Sequence, residues 1–154
     1  MRFIAFIVFV LLFVSCKKEN DNIDKLNLES RLSGKWIAKA FDGELHEAWK
    51  LDSNGWMFQE GYYIEKVDTS YSARTRIELV NEELILLSVI KNSTPKIFQA
   101  VERSDSKIIF KNKDYKNPYE VVYEFIDVNN YRRTIKGFEN DSLVTYIFNF
   151  KKTN

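Results

Sequence analysis

Two carboxylates are the residues most able to do chemistry together. Glu47 lies in Leu45-His46-Glu47-Ala48-Trp49 and Glu60 in Phe58-Gln59-Glu60-Gly61-Tyr62, with the turn-forming run Asp52-Ser53-Asn54-Gly55 between them. A four-residue loop at 52–55 sets Glu47 directly opposite Glu60 in a hairpin, whereas a two-residue turn at Asn54-Gly55 sets it on the diagonal. Either register puts both on one face, roughly 5–8 Å apart at Cβ. Like charges at that range repel, so the pair needs compensation by proton uptake, a cation such as Arg133, water or a bound ligand. Three readings follow: a solvated or Arg-paired polar layer, the polar groups of a ligand pocket, or a hydrolase using two carboxylates about 5 Å apart, the separation of retaining glycoside chemistry.

Other chemistry is sparse. The chain has one His and one Cys, too few for a zinc cluster or an internal disulfide. His46 falls on the opposite parity from Glu47, beside Glu44, and reads as a surface residue. No phosphate-binding loop, dinucleotide fingerprint, nucleophile elbow or metalloprotease motif occurs, so no cofactor and no metal site is expected. With 23 basic against 22 acidic residues, no basic face points to nucleic acid.

The elements that must position Glu47 and Glu60 are strands. The chain of 154 residues is 45% apolar and 15% aromatic, enough for one globular domain with a packed core. From Gly34 onward, turn chemistry recurs at Asp42-Gly43, Asp52–Gly55, Asn81-Glu82-Glu83, Asn92–Pro95, Ser104-Asp105-Ser106, Asn129-Asn130 and Asn140-Asp141-Ser142. Between these lie aromatic and branched runs near 35–41, 44–51, 56–66, 71–80, 84–90, 96–103, 107–112, 119–127, 131–138 and 143–151. Short connections and no long helical stretch argue for an antiparallel meander rather than a parallel α/β sheet.

Parity assigns the faces. Leu45, Glu47, Trp49 and Leu51 share one side, as do Trp56, Phe58, Glu60, Tyr62 and Ile64, then Val121, Tyr123 and Phe125, then Val144, Tyr146, Phe148 and Phe150. One buried face per strand in up-and-down order favours a closed barrel of eight to ten strands, since closure removes exposed edges. Ile23, Leu26, Leu28 and Leu32 fit a short helical or irregular lead-in before it.

The first sixteen residues, MRFIAFIVFVLLFVSC, serve as an address. Arg2 precedes twelve apolar residues, too short for a comfortable span and suited to a signal peptide. Leu12-Phe13-Val14-Ser15-Cys16 resembles a bacterial lipobox, with Phe13 in place of the usual aliphatic residue. That resemblance implies cleavage after residue 15 and lipidation of Cys16, the sole Cys, so that acyl chains hold the protein to a membrane. Residues 16–33 then comprise the lipidated Cys, a polar tether and the lead-in, and residues 34–152 the barrel. Lys17 is not the Asp of inner-membrane retention in enteric bacteria, so outer-membrane placement in the cell envelope is implied.

Gly34-Lys35-Trp36, opening the first strand, resembles the Gly-x-Trp signature of lipocalins and other calycins. The resemblance implies that Trp36 closes one end of the barrel, with Arg132 or Arg133 packed across it. A longer match, over about 34–140, is to an uncharacterised family of lipocalin-like domains of bacterial exported lipoproteins: Gly34/Trp36, Glu47/Trp49 with Gly55, Phe110/Asn112, Pro118 and Tyr123. Where that family has His-Asp-Phe before the proline, this chain has Tyr115-Lys116-Asn117, so no chemistry of those groups carries over.

An antiparallel, up-and-down, lipocalin-like barrel is therefore expected, carrying an apolar or amphipathic small molecule. Its lining would be Trp49, Phe58, Tyr62, Tyr71, Tyr123 and Tyr146, with Glu47, Glu60 and Arg133 as convergent polar groups. The alternative is a filled core and a scaffold or partner-binding role, with the carboxylate hydrolase third. The address segment generates the first prediction: Cys16→Ser abolishes lipid labelling and moves the protein from the membrane to the soluble fraction. Unchanged membrane partition in that variant contradicts it.

Overall fold

A computed structural model describes residues 27–66 and 68–153. The expected signal segment, Cys16, Ile23 and Leu26 lie outside the described residues. Chain order is α1 (Leu28–Leu32), β1 (Gly34–Ala40), β2 (Gly43–Leu51), β3 (Met57–Glu65), β4 (Asp68–Val80), β5 (Glu83–Ile90), β6 (Lys96–Arg103), β7 (Lys107–Lys111), β8 (Glu120–Asp127), β9 (Asn130–Glu139) and β10 (Ser142–Thr153). Each strand pairs antiparallel with its sequence neighbour, and β10 returns to β1 through Lys35↔Thr153, Trp36↔Lys152 and Ile37↔Lys151. Ten strands thus close into a barrel with no free edge.

Alternation makes the two rims different. The β1–β2, β3–β4, β5–β6, β7–β8 and β9–β10 connections gather at one rim, and the other four connections share the opposite rim with α1. At that second rim Leu28 and Leu32 are fully buried, and the Trp36 indole N–H donates to the Leu32 carbonyl at 2.6 Å. Met57, Ile77, Leu84, Ile108, Phe110 and Phe150 complete a packed plug at 1% exposure or less. Burying each such side chain contributes about 1.5–3 kcal/mol. The closing role expected of Trp36 is therefore met, but the cation above its ring is Lys152, 5.3 Å from the centroid. Arg132 instead bonds Asn149 on the outer wall, and Arg133 lies over Phe148 and Phe150.

The parities read for β2, β8 and β10 hold: Leu45, Glu47, Trp49, Val121, Tyr123, Phe125, Phe148 and Phe150 are all buried. On β3 the reading is corrected. Met57, Gln59 and Gly61 face the interior, and Phe58, Glu60 and Tyr62 face out. Neither two nor four residues form the preceding loop. Asp52 Oδ1 accepts from the Asn54 and Trp56 amides at 2.9 and 3.0 Å, and the Asp52 amide donates to the Trp56 carbonyl at 2.9 Å. These bonds, with the Trp56 amide foremost, hold the Asp52 carboxyl below its usual range. They absorb Trp56 into the turn, so Leu51 pairs with Met57 and Glu47 faces Gly61. One extra loop residue sends every following side chain to the other face.

Outward aromatics on β2–β4 have polar company that the sequence pattern concealed. Arg76 lies 4.3 Å over Trp56, Lys50 lies 5.7 Å from Phe58, and His46 stacks on Tyr62 at 5.1 Å. Glu60 pairs with Arg74 at 3.4 Å in the open, with a side chain 61% exposed. Farther round the outer wall, Glu120 is gripped by Lys136 at 2.7 Å and Lys111 at 3.0 Å. Burial pushes its carboxyl up, but the two ammonium groups outweigh burial and hold it below its usual value. Such charged ladders would be costly on a face turned to hydrocarbon.

The β3 register yields a stability test by urea unfolding. Met57→Ala is expected to cost about 2–5 kcal/mol as a core truncation. Glu60→Ala is expected to stay within about 0.5 kcal/mol, as for exposed sites. The reverse order would place the even residues of β3 inside.

Candidate ligand site

Glu47 sits at mid-height on β2 and is 4% exposed. A carboxylate there is stable only if its oxygens are bonded. Oε2 accepts from the Trp49 indole N–H at 3.0 Å and from the Tyr131 hydroxyl at 2.5 Å, while Oε1 accepts from Nη1 of Arg133. The geometry follows from two period-two steps. Glu47 and Trp49 are same-face neighbours on β2, and Tyr131 and Arg133 are same-face neighbours on β9. Since β1 and β10 separate these strands along the wall, the bonds cross the barrel interior.

Aromatic rings fix the donors. Tyr131 stacks on its register partner Phe150 at 4.7 Å and meets Trp36 edge-on at 4.8 Å. The Arg133 guanidinium lies 4.9 Å from Phe150 and 5.7 Å from Phe148. Burial first, and the Glu47 charge second, push the Tyr131 phenol well above its usual value of 10.0. It is therefore a committed donor and not an acid for chemistry at neutral pH.

Toward the five-connection rim the packing opens. A cavity of about 100 Å³ lies there, bordered at its base by Glu47, Tyr123 and Arg133. One wall owes its space to short side chains at Gly61, Ala73, Thr75 and Ser88. A Cβ at Gly61 would also displace the end of the Gln59 side chain, whose amide nitrogen lies too close to where that carbon would be. The rest of the lining is largely apolar, with Leu45 and Phe98 on the flanking strands and Val121 and Ile135 across the barrel. At the rim Tyr115 meets Phe98 edge-on at 5.8 Å, and the 112–119 loop is tied down by Asn112 to the Ile97 carbonyl and by the Phe138 amide to the Lys116 carbonyl at 2.8 Å.

Of the residues expected at a site, the structure brings together Glu47, Trp49, Tyr123 and Arg133, with Trp49 edge-on to Tyr123 at 6.2 Å. Tyr146 reaches the rim, where it donates to Glu139 at 3.0 Å and meets Phe41 at 5.7 Å. Phe58 and Glu60 are corrected to the outer face; Tyr62 shares their outward parity yet also borders the cavity. The expected side-by-side carboxylates are thereby separated by the barrel wall, which removes the hydrolase reading that needed them together. His46 is outward as expected, 3.2 Å from Glu44. The side chain of Tyr71 is outside the described residues.

Gln59, Thr75, Ser88, Lys96 and Tyr131 were not anticipated. All but Tyr131 line the cavity, and only the odd parity of β3 could have exposed Gln59. No protein-family model matches the chain, and no curated protein matches it.

Tyr131→Phe isolates the phenol while keeping its ring. At neutral pH the lost donor to a buried carboxylate is expected to cost about 1–3 kcal/mol. Above pH 10.0 the unfolded phenol ionises while the folded one keeps its proton, so native stability falls as pH rises. Tyr131→Phe is expected to shallow that alkaline decline in urea titrations at successive pH values; an equally steep decline contradicts the assignment.

Proposed function

We propose that the protein is a carrier or sensor of a small apolar or amphipathic molecule, held in the open half of the barrel. The observation that carries this reading is the asymmetry of the interior. One half is packed to the rim by α1 and Trp36, while the other keeps a cavity walled by Gly61, Ala73, Thr75 and Ser88. A barrel needed only as a scaffold gains nothing from short side chains at adjacent positions on three strands, since filling a void stabilises. An apolar cavity of about 150 Å³ accommodates benzene, so about 100 Å³ encloses a short alkyl group, and a ring-sized ligand extends into the rim.

The reading extends to the chain's location. The lipobox-like Leu12–Cys16 run supports lipidation of Cys16 and attachment to a bacterial envelope membrane, the outer membrane being favoured by Lys17. Barrel closure and the position of Trp36 at one end support the lipocalin-like resemblance. Partner binding is the second reading, supported by Phe138, Leu143 and Ile147, which lie exposed on the outer wall of β9 and β10.

The carrier reading is tested by titrating toluene, hexanol and larger apolar probes while following tryptophan fluorescence and thermal unfolding. A fitting ligand at 100 times its Kd is expected to add about 2.7 kcal/mol of stability. Ala73→Leu, which fills the cavity, is expected to abolish that gain while leaving the fold intact. Absence of saturable binding by any small probe, with Ala73→Leu simply more stable, contradicts the proposal.

A further inference from the structure

The polar groups of the cavity are ordered. Gln59 pairs with Thr75, Thr75 with Ser88, and Ser88 with Lys96, a single row across β3, β4, β5 and β6. All four line the cavity. The row begins beside Trp49, the register partner of Gln59, and ends at the rim, where Lys96 opens β6. It forms a strip of an amide, two hydroxyls and an ammonium, with Leu45 and Phe98 beside it and Val121 and Ile135 across the barrel.

Lys96, at the rim end of the row, has hydrogen-bonding capacity left over. Lys96 Nζ donates to the Asn117 carbonyl at 2.8 Å and lies 4.8 Å over the Tyr115 ring. Both partners are neutral, and an ammonium has three donors. No carboxylate among the described residues pairs with Lys96. Of the charged side chains lining the cavity, Glu47 and Arg133 satisfy each other, so Lys96 leaves a net positive charge. Low-dielectric walls strengthen its pull on an anion.

We propose, on the basis of the carrier reading, that the ligand is a small monocarboxylate. Its short alkyl or single-ring body lies against Leu45, Phe98 and Ile135, and its carboxylate is held at the rim by Lys96. The hydroxyls of Thr75 and Ser88 flank it along the polar strip. A neutral molecule of the same shape would leave the ammonium without a counter-charge. A dianion would exceed the single positive charge available.

The experiment is calorimetric titration of the full chain with benzoate and hexanoate, against benzamide, hexanol and toluene, for wild type, Lys96→Met and Lys96→Gln. Wild type is expected to bind the carboxylates at least ~10-fold more tightly than their neutral counterparts, with the preference weakening as salt is added. Both Lys96 variants are expected to lose the preference while still binding toluene, which also shows that they are folded. Equal affinity of wild type for benzoate and benzamide, or an undiminished preference in the Lys96 variants, overturns the monocarboxylate proposal and leaves the carrier reading standing. Failure of every compound, toluene included, overturns both.

Discussion

A single buried carboxylate organises this barrel. Glu47 accepts from an indole, a phenol and a guanidinium supplied by two strands that are not neighbours in the wall. Removing one partner of such an arrangement leaves an uncompensated charge in a low-dielectric interior, which is why a buried pair resists piecemeal change. The bonds also fix where Trp49, Tyr131 and Arg133 can be. Through the rings stacked on Tyr131, the position of Glu47 reaches Phe150 and Trp36, and hence the plug at the α1 rim.

That arrangement divides the interior into two regimes. On the α1 side large side chains interdigitate, and a local helix of five residues is long enough to seal the rim because Leu28 and Leu32 both point inward. On the other side, small residues on β3, β4 and β5 leave space, and the polar strip from Gln59 to Lys96 gives that space a direction. The base of the cavity rests on the packed half, because Glu47 is bonded to Tyr131 and Arg133 lies over Phe150.

Much of this was legible in the sequence. Ten strand-like runs and their turns mark the ten strands, because period-two burial and Gly/Asn/Asp turns are local physics. Glu47 and its relation to Trp49 could be read for the same reason. The face of β3 was not legible. Trp56, Phe58 and Tyr62 look like a core face, yet they stack outward on Arg76, Lys50 and His46, and the inward set of Met57, Gln59 and Gly61 is small or polar. The register was decided by the Asp52 side chain bonding two amides, a contact that residue types suggest but do not fix. Arg133 was legible as a candidate counter-charge for Glu47, although barrel closure is what selects it; Lys152 above Trp36 depends on closure and lies beyond any local pattern.

The central claim is that Glu47 and Arg133 are energetically coupled across the barrel. A double-mutant cycle on Glu47→Gln and Arg133→Met, measured by urea unfolding at neutral pH, tests it directly. The account predicts a coupling energy of at least about 1 kcal/mol, with the double variant less destabilised than the two single losses combined. Losses that add to within about 0.5 kcal/mol would show two independent side chains, and the organising role given to Glu47 would be wrong.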